Sequence, residues 1–340
     1  MRVATDLLFG SWVEACGLRA LPAGRSQAEM VAATAGLTPE ERSIRQFTTV
    51  WVPTFAREVL ASLNAWRPDL VVSEEGEHAG PLIAAVLGVP VVTHSWPAPA
   101  RALETRAALT GALDDVWSAF GHVPPARMWG DHYLDCCPPP LQTSDIATIA
   151  GVIAVRPSPF DGPPVAPPPW IEDLVRPVVL VTLGTVSLFA RPGVLRRIVD
   201  AVRSLAGTVV AATGPFPETV VPPHPGVVVA RYVPLSAILP VSDLVVSHGG
   251  ASTSAACLLA AVPQLVIPQG APSQRRVAAA VVRSGIGSSI DPDPLQSEAL
   301  AASARELLGD SNVRDHIDTA LSTLDALPEP EEVAAYLAQL

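Results

Sequence analysis

Asp243-Leu-Val-Val-Ser-His-Gly-Gly-Ala-Ser-Thr-Ser-Ala-Ala-Cys-Leu-Leu-Ala-Ala261 is the stretch on which the reading of this chain turns. An apolar run, Asp243 to Ser247, meets His248 and two glycines, and a small-residue segment with helical character follows. A strand that turns through glycines into a helix N-terminus presents unpaired N–H groups and the positive end of the helix dipole. The glycines let a ligand approach the backbone closely, so a diphosphate would fit there. An ordinary tight connection between a strand and a helix fits the same residues, and the segment alone does not separate the two.

Outward from that turn, short valine-rich runs alternate with alanine-rich helical stretches. The strands expected are Asp69–Ser73, Val89–His94, Val178–Leu183, Thr208–Ala212, Val227–Ala230, Asp243–Ser247 and Gln264–Pro268. Near-continuous apolar strands separated by helices indicate parallel sheets covered on both faces, an α/β fold. Between Arg156 and Pro177 eight prolines crowd the chain, too many for a helix or a central strand. The organisation expected is therefore an α/β unit over 1–155, a proline-rich linker over 156–177 and a second α/β unit over 178–328. A final helix, 329–340, opens on acidic residues that suit a helix N-terminus and is expected to cross back onto the first unit.

Composition removes several classes of function. All 22 basic residues are arginine, so no lysine can form a Schiff base or bind phosphate in a nucleotide loop. A formal net charge of −11 without any basic run argues against a nucleic-acid partner. The four cysteines lack metal-binding spacing and suit a reduced cytoplasmic protein. Mean hydropathy is +0.34, yet no apolar run approaches the about 18 residues of a membrane span. Asp291-Pro-Asp293 reads as a turn between prolines rather than a metal motif, and no nucleophile elbow accompanies the His-Gly-Gly sequence.

Several segments in order then carry a resemblance. Val179-Leu-Val-Thr-Leu-Gly-Thr185, Arg231-Tyr-Val-Pro234, Ser247-His-Gly-Gly-Ala-Ser-Thr253, Val262-Pro-Gln-Leu-Val-Ile-Pro268 and Ala271-Pro-Ser-Gln274 are similar to GT-B glycosyltransferases of bacterial natural-product, macrolide and antibiotic type. Upstream, Arg67-Pro-Asp-Leu-Val-Val72, Leu87-Gly-Val-Pro90, Leu134-Asp-Cys-Cys-Pro-Pro-Pro140 and Pro167-Pro-Pro-Trp170 resemble the same family. The resemblance implies two Rossmann-like domains facing a cleft. The reaction it implies is inverting transfer of a sugar from a UDP or dTDP carrier to a hydroxyl of a small apolar acceptor, with no metal or other cofactor.

By that resemblance the donor would be held by Thr185, Tyr232, Val233, His248, Gly249, Gly250, Ser252, Thr253, Ser273 and Gln274. His248, Ser252 and Thr253 would meet the diphosphate, Tyr232 would stack on the base, and Gln274 would grip sugar hydroxyls. Ser273 stands where relatives carry aspartate. A neutral hydroxyl bonds more weakly than a carboxylate, which suits a donor with fewer hydroxyls such as a deoxysugar. His78, His94, Trp96, Trp117 and Phe120 are the candidates for the acceptor side. Core packing is an equal reading of the aromatic ones.

The family pattern also implies a strand, a glycine-rich loop and a helix ahead of Met1, with the general-base histidine on that loop. No histidine precedes His78. The N-terminal domain is thus expected to be truncated as written, and Glu74 is a candidate for the carboxylate that orients such a base. A start misassigned downstream of the true one, an inactive remnant, and a non-catalytic helper or homodimeric binding protein are the readings left open.

Overall fold

A computed structural model describes residues 1–340 except 65, 102, 126–128, 130–131, 164, 186–190, 192 and 215–220. The strands among the described residues are β1 (Arg2–Thr5), β2 (Arg19–Pro22), β3 (Val71–Glu74), β4 (Val91–His94), β5 (His132–Asp135) and β6 (Val152–Ala154) in the amino-terminal half. The carboxy-terminal half supplies β7 (Val178–Thr182), β8 (Thr208–Ala212), β9 (Val227–Ala230), β10 (Leu244–Ser247), β11 (Gln264–Val266) and β12 (Gly287–Ser289). Every pairing is parallel.

In the second half the strand order is β12-β11-β10-β7-β8-β9. Alternation along the central strands explains why both faces need helices. Val179 and Val181, Val209 and Ala211, and Leu244 and Val246 point into one core, while Val178, Leu180, Val210, Ala212 and Val245 point into another. The helix Val194–Val202 covers the first face with Val194, Leu195, Ile198, Val199 and Val202. Its outer side carries Arg196, Asp200 and Arg203 as surface ion pairs. Each buried aliphatic side chain contributes about 1.5–3 kcal/mol, whereas such exposed pairs contribute about 0–1 kcal/mol, so the apolar stripe decides how the helix lies.

The first half has a sheet in the order β3-β4-β5-β6 and a separate pair, β1-β2. A single core joins them: Ala4 of β1 and Ala23 pack with Val52, Phe55 and Val59 of the helix Val52–Ser62 and with Leu82 and Ile83 of the helix Ala79–Leu87. Trp117, 1% exposed, fills the same core.

Two contacts tie distant parts of the chain together. Val333, in the helix Pro330–Leu337, packs with Val92, Leu134, Cys136 and Val155 of the first half, and Tyr336 stands edge-on to His132 at 6.0 Å. Arg283, closing the helix Pro272–Arg283, donates to the carbonyls of Leu141 and Gln142, both at 3.0 Å. No helix among the described residues is long and apolar enough to cross a membrane.

Strand β12 is the least obvious element, because Gly-Ser-Ser has little intrinsic preference for a strand. It pairs with β11, and Gly287 admits that neighbour: a Cβ there would lie 2.1 Å from the Gln264 carbonyl oxygen and 2.9 Å from Val281 Cγ1. Gly287→Ala is therefore expected to destabilise the fold by about 1–3 kcal/mol, the usual cost of forcing a group into packed space. A thermal midpoint equal to that of the parent chain, read by circular dichroism, would contradict this account.

Candidate functional site

The strand order of the second half reverses between β7 and β10: from β7 the chain proceeds outward through β8 and β9, then returns to place β10 on the other side. At such a reversal the loops leaving the two central strands diverge to opposite faces, and ligands bind in the crevice between them. The loops here are Leu183-Gly184-Thr185 after β7 and His248-Gly249-Gly250 after β10. Thr182 Oγ1 accepts from the Gly184 N–H at 3.2 Å, and Ser247 Oγ accepts from the Gly249 N–H at 3.2 Å, so a hydroxyl pins each turn.

Gly249 has φ +80°, and a Cβ there would stand 2.8 Å from Val266 Cγ1. Both the conformation and the space require glycine. The His248 ring lies against two other glycines: a Cβ on Gly184 would come within 2.6 Å of Cε1, and one on Gly250 within 2.7 Å. Nδ1 of this imidazole is buried with no hydrogen-bond partner among the described residues. Burial pushes its pKa down to about 4, so at neutral pH the ring is uncharged and donates through one nitrogen only.

Gly250 is the residue before the helix Ala251–Leu259, and no side chain caps that helix. Its first internal hydrogen bond runs from the Ser254 N–H to the Gly250 carbonyl, at 2.9 Å. The N–H groups of Ala251, Ser252 and Thr253 thus open the helix without intrahelical partners, as the geometry of an N-terminus requires. Together with His248 they make a neutral, donor-rich, anion-accepting corner.

The other donor-side residues stand in different situations. Thr185 is exposed at the mouth of the β7 turn, and Ser273 is half-buried in the first turn of the helix Pro272–Arg283. Gln274 is buried, and its Oε1 accepts from the Gln269 and Ala271 N–H groups at 2.7 and 3.3 Å. The chain's own turn thereby uses its carbonyl and leaves only its amide NH₂ for a ligand. Val233 is a core residue, 4% exposed. Tyr232 donates its hydroxyl to the Asp161 carbonyl at 3.0 Å and meets Trp12 edge-on at 6.0 Å. Its aromatic ring is engaged by the α/β connection rather than left free beside the phosphate corner.

Acceptor-side candidates divide in the same way. Trp117 lies in the core and lines no surface, because helices close over it on every side. Phe120 packs against that core with Arg57 over its face at 5.2 Å. His78 is 2% exposed, its Nε2 is unpartnered, and burial aided by Arg101 pushes its pKa down to about 3. It stands edge-on to Trp129 at 6.4 Å. His94 and Glu74 are exposed at the ends of β4 and β3, in register with each other. Trp96 packs against the core of the second half while Arg101 lies over its ring at 4.9 Å.

Sequence reasoning passed over three residues here. Arg101 pairs with the buried Glu75 at 3.1 Å. Arg276, two residues beyond Gln274, reaches the same neighbourhood; burial and then the like charge of Arg101 lower its pKa, and Glu75 and Tyr133 oppose them. Arg276 Nε and Gln269 Oε1 are buried without partners among the described residues. In a lysine-free chain every arginine looks alike, so only burial distinguishes these from the surface ones.

Comparison with known proteins places these features in a family context. Models of the erythromycin biosynthesis protein CIII-like amino-terminal and carboxy-terminal domains match residues 1–184 and 196–340. L-demethylnoviosyl transferase of Streptomyces niveus is 31% identical over 311 residues, which are 89% of this chain and 79% of that protein. The elloramycin glycosyltransferase ElmGT of Streptomyces olivaceus is 31% identical over 80% of this chain and 68% of its own length. Among solved structures, glycosyltransferase SsfS6 of Streptomyces sp. SF2575, complexed with thymidine diphosphate, superposes with a TM-score of 0.79 at 25% identity, covering 100% of this chain and 91% of that one. Glycosyltransferase SnogD from Streptomyces nogalater gives 0.77 at 26% identity, covering 97% and 88%.

The glycine contacts around His248 make a direct test. Gly184→Ala would drive a methyl group into the imidazole, and we expect affinity for thymidine diphosphate to fall about tenfold or more, a cost of about 1.4 kcal/mol or greater. Titration calorimetry on a variant whose circular dichroism matches the parent would read it. Undiminished affinity would show that the ring position is immaterial to the ligand.

Proposed function

Because the chain belongs to the erythromycin biosynthesis protein CIII-like family and its relatives are glycosyltransferases, we propose that it moves a sugar from a thymidine or uridine diphosphate carrier to a hydroxyl of a small apolar natural product. Transfer inverts the anomeric centre in this reading: the acceptor oxygen attacks the sugar C1 as the bond from C1 to the phosphate oxygen breaks. The electron pair leaves with the nucleoside diphosphate, and the acceptor's proton goes to a base. What the protein must supply is stabilisation of the charge that grows on the departing diphosphate.

The observation that carries this reading is the corner formed by His248 and the N–H groups of Ala251, Ser252 and Thr253. These donors point at one place, are fixed before ligand arrives, and need no reorganisation as charge develops. His248 serves as a neutral donor because its lowered pKa keeps it uncharged. Ser273 and the free NH₂ of Gln274 then face the sugar. With a hydroxyl in place of a carboxylate, that end suits a sugar that asks for few strong hydrogen bonds, which points to a deoxysugar. This arrangement assigns no role to a metal ion.

His248→Ala is expected to lower turnover by about 10²–10³-fold, the usual effect of removing one donor to a developing anion. Release of nucleoside diphosphate from dTDP- and UDP-sugars, followed chromatographically, measures it. Undiminished turnover in the variant, or a parent chain that binds neither dTDP nor UDP, would remove the basis of the assignment.

A further inference from the structure

Three carboxylates lie close together between β3 and the helix Ala79–Leu87, and their hydrogen bonds separate them. Glu75 is buried and paired with Arg101 at 3.1 Å. Glu77 uses both oxygens: Oε1 accepts from the Ala79 N–H at 2.8 Å and Oε2 from Trp51 Nε1. Glu74 uses one, since Oε1 accepts from the Gly76 N–H at 2.9 Å and Oε2 accepts from no described residue. Its side chain is exposed at the carboxyl end of a parallel strand, where α/β folds hold their ligands.

The surroundings place that free oxygen near the junction of the two halves. A Cβ on Gly76 would lie 2.7 Å from Trp96 Cζ2 and 3.3 Å from Glu74 Oε2, so the carboxylate and the indole flank one point. Trp96 in turn packs on the core of the second half and carries Arg101 over its ring. Arg276, on the same helix as Ser273 and Gln274, is electrostatically coupled to Arg101 and Glu75. The strand end bearing Glu74 and the helix proposed to face the sugar therefore belong to one continuous neighbourhood.

We propose that Glu74 takes the proton of the acceptor hydroxyl during transfer. The acceptor O–H bond breaks with its proton passing to Glu74 Oε2, the freed oxygen pair forms the bond to the sugar C1, and the nucleoside diphosphate departs with the electrons of the old bond. This role rests on the glycosyltransferase reading above.

Electrostatics suit the group to the task. Loss of hydration raises the Glu74 pKa to about 7, Glu75 and Glu77 add to the rise, and the Gly76 N–H and Arg101 oppose it. A base works best when its pKa lies near the operating pH. The charged and titratable groups around it are Glu75 and Glu77 on the connecting loop, His78 beyond them, His94 beside it on β4, and Arg101 and Arg276 across the cleft wall. Its folded pKa stands above the ordinary glutamate value, so the proton is held more tightly in the folded chain. Glu74 therefore subtracts from stability as pH rises from about 4.5 to about 7. A site that gives up stability to keep a carboxylate poised is consistent with a functional demand.

The test uses dTDP-glucose as donor and either 4-methylumbelliferone or water as acceptor, with dTDP release as the readout for the parent chain, Glu74→Gln, Glu74→Asp and His94→Gln. Glu74→Gln is expected to cut kcat by about 10²-fold or more while the Kd for dTDP stays unchanged. The acidic limb of the parent pH–rate profile, centred near 7, should vanish in Glu74→Gln and persist in Glu74→Asp and His94→Gln. A Glu74→Gln rate within about threefold of the parent would overturn the proposal. So would a limb that survives in Glu74→Gln, which would make Glu74 a positioning residue, or one that disappears in His94→Gln. A parent that binds dTDP yet releases none from dTDP-glucose also counts against it, because the proton acceptor it assigns is present. Failure of the glycosyltransferase reading itself is seen separately, as absence of dTDP binding.

Discussion

Strand β10 lies against β7 on the side away from β8, and the site depends on that one neighbour relation. The backbone ladder from Leu244 to Ser247 along Val179 to Thr182 sets the two strand ends level. Their loops then meet across a distance so short that Gly184 and Gly250 can hold no side chain beside His248. Burial of the central valines on both faces keeps the register from slipping, since a shift of one residue would exchange the two cores. The imidazole is therefore positioned by sheet packing rather than by hydrogen bonds of its own.

Charge is handled without lysine and with few exposed ion pairs at the site. The donor corner is neutral: helix N–H groups and an uncharged imidazole, all made stronger by exclusion of water. The opposite wall is ionic, with Glu75 and Arg101 buried as a pair and Arg276 beside them. Removing one member of a buried pair costs about 3–5 kcal/mol, so this wall is held to its composition more strictly than a surface would be. A donor side of dipoles facing an acceptor side of full charges divides the work of the two halves.

Much of this was legible in the residues themselves. Continuous valine runs announced β7, β8 and β10, because a strand covered on both faces has no polar side to alternate with. The His-Gly-Gly turn marked the donor corner, because backbone geometry at glycine is a local property. Strand β12 was hidden, since Gly-Ser-Ser is extended only because β11 recruits it. Tyr232, Trp117 and Gln274 were ambiguous for a related reason. Each can face a ligand or the protein, and the choice is made by Asp161, by the helix Ala79–Leu87 and its neighbours, and by the Gln269 and Ala271 N–H groups. Arg101 and Arg276 acquire meaning only through burial, which no local pattern encodes.

The proline-rich stretch divides the chain in sequence, but packing divides it elsewhere. Val333 and Tyr336, at the far end, rest on β4 and β5, and Arg283 holds the turn at Leu141 and Gln142. Hybrid enzymes assembled by exchanging halves between relatives would therefore fail at a cut made only in the linker. A working exchange has to carry residues 330–337 with the amino-terminal half, and it has to match the 139–142 turn to the helix Pro272–Arg283 it docks on. Three seams, not one, are what recombination in this lineage must respect.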